Sequence, residues 1–187
     1  MFAADGALLD ARDEVIGRGH AERLVPMIGE LLAGRVPTEV LVGVGPGSFT
    51  GLRVAIAAAH GLAIGWSVEL KGIPSLALLA ASAPGNGPVV AAMSGGHGEL
   101  FVQSFARAPF AALGEPANLT PAAAAAAHPE AMAVGSGAAV LAATRGHGEA
   151  LYLLPSASNA LRLPIELRTL PPRPLYIRAP DARPKAA

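Results

Sequence analysis

Apolar residues recur every three or four positions between residues 20 and 33, which predicts a first amphipathic helix. The recurring positions are Leu24, Met27, Ile28, Leu31 and Leu32. Residues at this spacing share one face of an α-helix, so the segment has an apolar stripe to bury. Gly34 and Pro37 follow, and both are typical of the end of a helix.

A strand, a glycine-rich turn and a second helix come next. Residues 39–44 form an apolar run that predicts a buried strand. The turn is Gly45-Pro46-Gly47-Ser48-Phe49-Thr50-Gly51, and residues 50–65 predict the second helix. Many positions in this helix are Ala or Gly, which allows another helix to pack with its backbone close. We therefore expect the second helix to pair with another helix.

The remainder of the first half alternates strand and helix signals. The predicted elements are an N-terminal hairpin around Asp5-Gly6, a strand at 68–72, a helix at 74–83 and strands at 89–93 and 99–105. We expect the last two strands to complete one mixed sheet with the strand at 39–44. Residues 1–106 are thus predicted to form an α/β lobe that includes both amphipathic helices.

The second half is rich in Pro and Ala and has weaker signals. Thr120 is a candidate N-cap for a helix at 121–127. A smaller strand, turn and helix unit begins at residue 131 and has the turn Gly135-Ser136-Gly137. We expect residues 107–187 to form a smaller second lobe, with a Pro-rich tail from residue 164 extended along the surface.

The composition points to a partner-bound protein. Hydrophobic residues make up 52% of the chain and charged residues only 15%, an excess that suggests apolar surface covered by another subunit. The balance of 14 basic and 14 acidic residues provides no basic field for nucleic acid, so contact with RNA is expected only through a partner. We expect a cytoplasmic protein, because there is no cysteine, no uninterrupted membrane span and no signal-peptide pattern.

The glycine-rich turn permits two interpretations, an anion site or an architectural turn. Glycines before a helix expose N–H groups to an anion, but the turn has neither the Lys of a Walker loop nor the spacing of a dinucleotide loop. Ser48 and Thr50 lack a neighbouring base, so helix capping is expected rather than nucleophilic chemistry. Arg53 in the first helical turn opposes the helix dipole, which predicts an acidic partner on this chain or another.

Three histidines occur in Gly-His-x-Glu segments, at His20, His97 and His147. The three copies fall in different predicted elements, and no pair has the four-residue helical spacing of a zinc motif. We therefore expect no metal site. His20 and Glu22 are instead expected to begin the first helix, with the acidic residue in its favoured first turn.

The segment GPGSFTGLRVAIAAAHGLA, preceded by GHAERLVPMIGELL and followed by GIPSL, resembles the TsaB family of tRNA threonylcarbamoyladenosine biosynthesis proteins. The resemblance is close over residues 15–80 and looser through 99–105. Tyr176-Ile177-Arg178 is similar to the family's terminal Y-x-R signature. The resemblance implies a two-lobed fold of the actin-like ATPase and ribonuclease-H-like class.

The resemblance also implies a non-catalytic subunit. Such a subunit would support a catalytic TsaD subunit that modifies tRNAs reading codons that begin with A, alongside a TsaE-type ATPase. The two helices would pair with TsaD or with a second copy of the chain. The implied interface residues are His20, Leu24, Met27, Ile28, Leu31, Arg53, Ile56, Ala58 and His60. Candidate phosphate contacts, to ADP or ATP shared with a partner, are Gly45, Gly47, Ser48, Thr50, Gly51, Gly135, Ser136 and Gly137.

The chain departs from the family pattern in two places. Family members begin with a strand that carries an Asp-Thr pair, and this chain begins after it, so we expect the first strand to be missing and a nucleotide site to be incomplete. Many members have Asp-Ala-Arg where this chain has Ser94-Gly95-Gly96. The polar contacts of that Asp and Arg therefore cannot be carried over.

Two alternatives to a partner subunit stay open from the sequence. The first is a small actin-like ATPase or kinase, which needs a carboxylate to hold Mg²⁺ near the phosphate loops, and residues 1–60 supply none in the expected place. The second is a peptidase, suggested only by the historical naming of relatives, for which we find no triad or metal motif.

Overall fold

The computed structural model describes residues 1–17 and 19–178, with the side chain of His20 outside that description. The helices are α1 (His20–Leu32), α2 (Phe49–Trp66), α3 (Ser75–Ala81), α4 (Pro121–Ala127) and α5 (Ala138–Arg145). The strands are β1 (Glu39–Gly45), β2 (Glu69–Pro74), β3 (Val89–Ser94), β4 (Leu100–Arg107), β5 (Phe110–Ala112), β6 (Ala117–Leu119), β7 (Met132–Val134) and β8 (Glu149–Leu151). Short 3₁₀ helices occupy Gly96–Gly98, Ala157–Arg162 and Ile165–Leu167.

The N-terminal part is built on a parallel pair of strands. β1 and β2 pair from Glu39 opposite Glu69 to Gly43 opposite Ile73, the register then shifts by one residue to put Gly45 opposite Pro74, and α2 packs on both strands. Val42, Val44 and Ile56 form their common apolar core, and the small residues of α2 keep the helix close to the sheet. The predicted hairpin is present as an isolated antiparallel bridge between Phe2 and Leu8.

The second sheet is larger and is mixed. Its strand order is β5-β4-β3-β7-β8, with β6 paired to β4 beyond this path. β3 is parallel to β7 and antiparallel to β4. The expectation that β3 and β4 join the sheet of β1 is therefore wrong, because their backbone groups pair with β7, β5 and β6 instead. The lobe boundary at residue 106 stays a prediction.

The main hydrophobic core lies where α3 meets the second sheet. Every residue of α3 is buried, and Leu76 and Leu79 are fully enclosed. Phe105 of β4 and Val134 of β7 complete this core. A second cluster on the other sheet face includes Leu141 of α5, so helices cover both faces of the sheet.

The segment 170–178, which we call the C-terminal strap, crosses from one sheet to the other. Leu170 exchanges two backbone hydrogen bonds with Gly72 of β2, and the Leu175 N–H donates to the Val44 carbonyl at 2.8 Å. A Cβ on Gly72 would lie 2.8 Å from the Pro171 carbonyl oxygen, so this glycine makes room for the strap. The tail predicted to be extended from residue 164 therefore begins with a 3₁₀ helix at Ile165–Leu167 and then bonds to β1 and β2 through the strap. Residues 179–187 lie outside the described part.

Candidate interaction site: a helix face and the adjoining cleft

The first helix forms as the sequence predicts, but it is only partly covered. None of its described side chains is buried, and Leu24, Met27, Ile28 and Leu31 are all half-buried beside α2. Its hydrophobic stripe is therefore accessible at its edges. The helix also contains Pro26, whose missing N–H removes a hydrogen bond from its interior. Packing against another surface would add to the stability of this helix.

The second helix combines a buried face and an open one. Ile56, Ala59 and Ala63 are buried against the sheet, whereas Ala58 is half-buried. The opposite stripe, formed by Arg53, Ala57, His60, Gly61 and Ile64, is exposed. Ile64 has 77% of its surface exposed, which is unusual for a large aliphatic side chain in a helix. The predicted interface residues therefore include a core residue, Ile56, among surface neighbours.

His60 is attached to the strap. Its Nε2 atom lies 3.3 Å from the Pro172 carbonyl oxygen in a hydrogen bond. The strap thus contacts α2 near its middle as well as at its N-terminus. No described residue brings an acidic group to His60 within ion-pair distance.

The glycine-rich turn is built as a helix start. The Ser48 hydroxyl accepts a hydrogen bond from the Gly51 N–H at 3.3 Å, so Ser48 is the N-cap of α2, and Thr50 is an exposed residue within the helix. Gly45 has a φ of +108°, and a Cβ there would lie 2.9 Å from Leu52 and 3.3 Å from the Leu175 carbonyl oxygen. Gly45 is therefore required for the close approach of α2 and the strap.

Arg53 is held at the start of α2 by two aromatic side chains. Its Nε donates a hydrogen bond to the Tyr176 hydroxyl at 3.0 Å, and its Cζ lies 3.7 Å from the centroid of the Phe49 ring. The two rings are themselves in contact, with centroids 5.6 Å apart. The acidic partner predicted for Arg53 is not found among the described residues of this chain, which place a tyrosine hydroxyl and an aromatic face there instead.

A cleft of about 600 Å³ opens between this turn and the second sheet. Its lining comes from the turn (Pro46, Gly47, Ser48, Phe49, Leu52, Arg53), from the second sheet (Ser94, Gly95, Gly96, Phe101) and from the strap (Leu175, Tyr176, Ile177, Arg178). These described lining residues include two arginines and no Asp, Glu or His. Mg²⁺ in a nucleotide site is held by carboxylates, so this lining does not supply its ligands.

The residues Ser94-Gly95-Gly96, which replace the Asp-Ala-Arg of many family members, form one wall of the cleft. A Cβ on Gly96 would lie 2.8 Å from Nη1 of Arg178, so the glycine makes room for the last described residue of the strap. Arg178 also lies 3.8 Å from the Glu99 carboxylate. The strap therefore reaches the second sheet as well as the first.

The turn Gly135-Ser136-Gly137 lies behind this wall and does not line the cleft. Ser136 accepts a hydrogen bond from the Ser94 N–H at 3.0 Å, and the N–H groups of Gly135 and Gly137 donate to the carbonyls of Leu151 and Ala92. A Cβ on Gly135 would lie 2.3 Å from the Ala92 carbonyl oxygen. The two glycine turns predicted as phosphate contacts are thus not brought together around one cavity.

The Gly-His-x-Glu segments are separated as the sequence predicts. His20 begins α1, His97 lies in a 3₁₀ turn and His147 lies between α5 and β8. Within the described residues, no group of three His, Asp or Glu side chains is arranged to hold a metal ion. Glu22 lies in the first turn of α1, as expected.

Sequence reasoning missed a serine and histidine pair. The Ser104 hydroxyl and the Nδ1 atom of His128 are 2.7 Å apart in a hydrogen bond, and burial lowers the pKa of His128. Ser104 is only 4% exposed, in the middle of the sheet, so a substrate cannot reach its hydroxyl. The hydrogen bond therefore satisfies the buried Ser104 hydroxyl and the half-buried His128 ring. The residues are 24 positions apart, and the packing of α4 against β4 brings them together.

One described helix, α2, is long and apolar enough to cross a membrane by length and composition alone. Helices of globular proteins meet the same criterion. This helix carries Arg53 and packs on β1 and β2.

The two sheets, the helices between their strands and the cleft beside the glycine-rich turn define an α/β protein of the actin-like and ribonuclease-H-like class. YeaZ from Pseudomonas aeruginosa has this structure with a TM-score of 0.73 and 28% identity, over 87% of this chain and 86% of that one. Another P. aeruginosa structure, described as similar to the peptidase YeaZ, also has a TM-score of 0.73 and 28% identity, over 88% of this chain and 87% of that one.

Residues 13–125 match the family model described as TsaD, tRNA N6-adenosine threonylcarbamoyltransferase. The TsaB protein of Escherichia coli is 34% identical over 111 residues, 55% of this chain and 48% of that protein, and an uncharacterised Mycobacterium tuberculosis protein is 33% identical over 97% of this chain and 86% of its own length. The match thus spans about half the length of E. coli TsaB. The chain belongs to the family that this model describes and, within it, to the TsaB relatives, which confirms the resemblance.

Proposed function

We propose that this chain is a partner subunit of the complex that forms N6-threonylcarbamoyladenosine in tRNAs that read codons beginning with A. In this role it binds and supports a TsaD-type catalytic subunit and has no catalytic activity of its own. The names of its TsaB relatives support the pathway. The match to the family model described as TsaD supports association with a TsaD-type subunit.

The observation that carries this proposal is the uncovered face of α1 and α2. No described side chain of α1 is buried, and Ile64 and Gly61 of α2 are exposed although both are apolar. An open stripe of this kind, with small residues along it, suits a second pair of helices packed close to it. We propose that the same face also pairs with a second copy of the chain, so a homodimer is the proposed state of the chain alone.

The absence of catalysis is proposed from the described lining of the cleft. A hydrolase or kinase site needs a base or a metal-binding carboxylate, and the lining residues offer hydroxyls and arginines only. The alternative of a small ATPase or kinase would need both glycine turns around one nucleotide. The Gly135 and Gly137 N–H groups already donate to backbone carbonyls, which does not favour it.

Further components follow from the same role. ADP or ATP is proposed to contact the turn at Gly47 and Ser48 only when a partner completes the cleft. A TsaE-type ATPase is proposed to join the complex, and tRNA is proposed to contact the catalytic subunit rather than this chain. The proposed location is the cytoplasm.

The test is binding between the purified full chain and the TsaD-type subunit of the same organism, measured by analytical ultracentrifugation. We expect a homodimer that exchanges for a heterodimer on mixing. Leu24→Glu places a charge in the apolar stripe, and Ala58→Arg places a long side chain where helices approach, so each should abolish both associations. Val140→Glu, on the exposed part of α5, is the matched control and should leave both associations intact.

Unchanged association in Leu24→Glu and Ala58→Arg would refute the proposed interface. Calorimetry with ATP and Mg²⁺ on the isolated chain separates the alternative function. Tight binding and turnover there would favour an ATPase.

A further inference from the structure

Arg53 on the open face of α2 has a fixed position. Phe49 supports the face of its guanidinium and the Tyr176 hydroxyl accepts from its Nε. An exposed arginine ordinarily samples many rotamers, and ordering it costs conformational entropy on binding. Phe49 and Tyr176, which we call the aromatic bracket, therefore restrict the Arg53 side chain before any partner binds.

The charge of Arg53 is not neutralised by the described part of this chain. The ion pairs found there join other residues, and only Nε of Arg53 makes a hydrogen bond. The positive end of the α2 dipole lies beside it, which makes an unpaired cation at this position unfavourable. Its two terminal nitrogens, Nη1 and Nη2, make no hydrogen bond to the described residues and so retain their donors.

The strap fixes one side of this bracket. Tyr176 directly follows Leu175, whose N–H bonds to Val44, and Gly45 has no Cβ that would displace this part of the strap. Phe49 is set by the helix start at Ser48. Both aromatic side chains are thus positioned by backbone contacts on either side of Arg53.

We propose that Arg53 is the specificity-determining contact of the α1 and α2 face and that it binds a side-chain carboxylate of the TsaD-type subunit. Phe49 and Tyr176 are its positioning residues. This inference rests on the proposed function. A planar guanidinium with two free terminal nitrogens matches the two oxygens of one carboxylate, and such pairs discriminate strongly between partners.

A protein carboxylate fits this site better than a nucleotide phosphate. The other arginine of the cleft, Arg178, already lies beside the Glu99 carboxylate, and no lysine occurs in the described lining. A single uncommitted cation balances one carboxylate but not a chain of phosphates. Arg53 also lies on the same exposed stripe as His60 and Ile64, so a partner on this face reaches it.

The test compares the affinity of full-length variants for the TsaD-type subunit by calorimetry at two salt concentrations. Arg53→Gln should weaken binding by roughly 10- to 100-fold, the effect of losing a hydrogen bond to a charged group, and should reduce the salt dependence. Arg53→Lys should restore only part of the affinity, because it lacks the planar fork. Tyr176→Phe should weaken binding by about two- to tenfold.

A double variant separates positioning from packing. If Tyr176 acts through Arg53, Tyr176→Phe should have no further effect in the Arg53→Gln protein. Arg173→Gln removes the same charge from an exposed position of the strap and should bind like the unmodified chain. Thermal unfolding of each variant checks that the fold is intact.

Each outcome is decisive. Unchanged affinity in Arg53→Gln, with binding still lost in Leu24→Glu, overturns the role of Arg53 and leaves the proposed function standing. If ATP or ADP alone binds the chain and Arg53→Gln abolishes that binding, the anion is a phosphate and the carboxylate assignment is wrong. If the unmodified chain does not bind the TsaD-type subunit, both the proposed function and this inference fail.

Discussion

Helices α1 and α3 show two opposite relations between a helix and its surroundings. All seven residues of α3 are buried, and apart from one serine its side chains are alanine and leucine. α1 has thirteen residues with a stronger amphipathic pattern, and none of its described side chains is buried. The helix with the clearer amphipathic sequence is thus the one whose apolar face is less buried. The length of an apolar stripe predicts that a helix forms, but it does not predict what covers it.

The contrast also separates the part of the fold that provides stability from the face proposed to bind a partner. α3 joins Ile73 of β2 to Phe105 and Val134 of the second sheet, so its contacts hold the two sheets together. α1 lies at the margin beside α2 and includes Pro26. A protein loses little by leaving such a helix half-covered, and a partner gains from covering it.

The largest expected effect is a difference between equivalent truncations in these two helices. Leu79→Ala in α3 should lower the free energy of unfolding by about 2–5 kcal/mol, because Leu79 is fully enclosed and its removal leaves a cavity. Leu24→Ala in α1 should cost less than about 1.5 kcal/mol in the monomeric chain, measured at a concentration below that at which the homodimer forms, since its side chain is already partly in water. Urea unfolding followed by circular dichroism measures both.

Addition of the TsaD-type subunit sharpens this comparison. The cost of Leu24→Ala should rise when the partner is present, whereas that of Leu79→Ala should stay the same. Equal costs for the two variants in the isolated chain would show that α1 is as well buried as α3, and the comparison would be wrong.

The sequence was sufficient for the local elements of both helices. The three- and four-residue spacing of Leu24, Ile28 and Leu31 predicted α1 within one residue of its end, and Thr120 caps α4 as expected. The cap at Ser48 was also predicted, although the choice between Ser48 and Thr50 was not. These features depend on residues that are near each other in the chain, so the pattern contains the information.

Non-local pairing could not be predicted in the same way. Strands β3 and β4 have apolar patterns that fit either sheet, and nothing in their sequences identifies β7 as the neighbour of β3. The three-residue strands β5, β6 and β8 are too short for a periodic signal. The strap has a Pro-rich composition typical of a loose tail. Its position depends on Gly45 and Gly72, which lie roughly one hundred residues or more earlier in the chain and make room for it only in the folded structure.

A substitution on the open face of α2 should stabilise the fold, in contrast to the two truncations above. Gly61 lies in the helix interior, and a Cβ there would meet nothing within 4 Å. Gly61→Ala should therefore raise the free energy of unfolding of the monomeric chain by about 0.5–1 kcal/mol, because alanine favours the helix. The same substitution should weaken binding to the TsaD-type subunit, whose helix is proposed to approach this stripe. Thermal unfolding and calorimetry measure the two effects.

Gly29→Ala is the matched control on α1, since Gly29 is also exposed with open space around its Cβ position. It should raise stability in the same way and leave affinity unchanged. A Gly61→Ala protein that is less stable than the unmodified chain would mean that α2 is already covered at this point, against the contrast between open and closed helices.

The smallest expected effect concerns the buried side of the molecule, where His128 bonds to Ser104 at the end of α4. Burial lowers the pKa of His128 in the folded chain below its ordinary value of about 6.5. As pH falls through 6.5, the unfolded chain binds a proton before the folded chain does. The stability that neutral His128 provides is therefore full above pH 6.5 and is lost as pH falls towards the lowered folded pKa.

Urea unfolding at pH 7.5 and at pH 5.5 tests this pH dependence. The unmodified chain should be less stable at the lower pH, and His128→Gln should lose part of that difference because glutamine does not titrate. His147→Gln, at an exposed position, is the control and should keep the full difference. An identical pH difference in His128→Gln would show that other groups cause it. The difference between α1 and the enclosed part of the molecule would then be one of packing alone, because no described titratable side chain of α1 is buried.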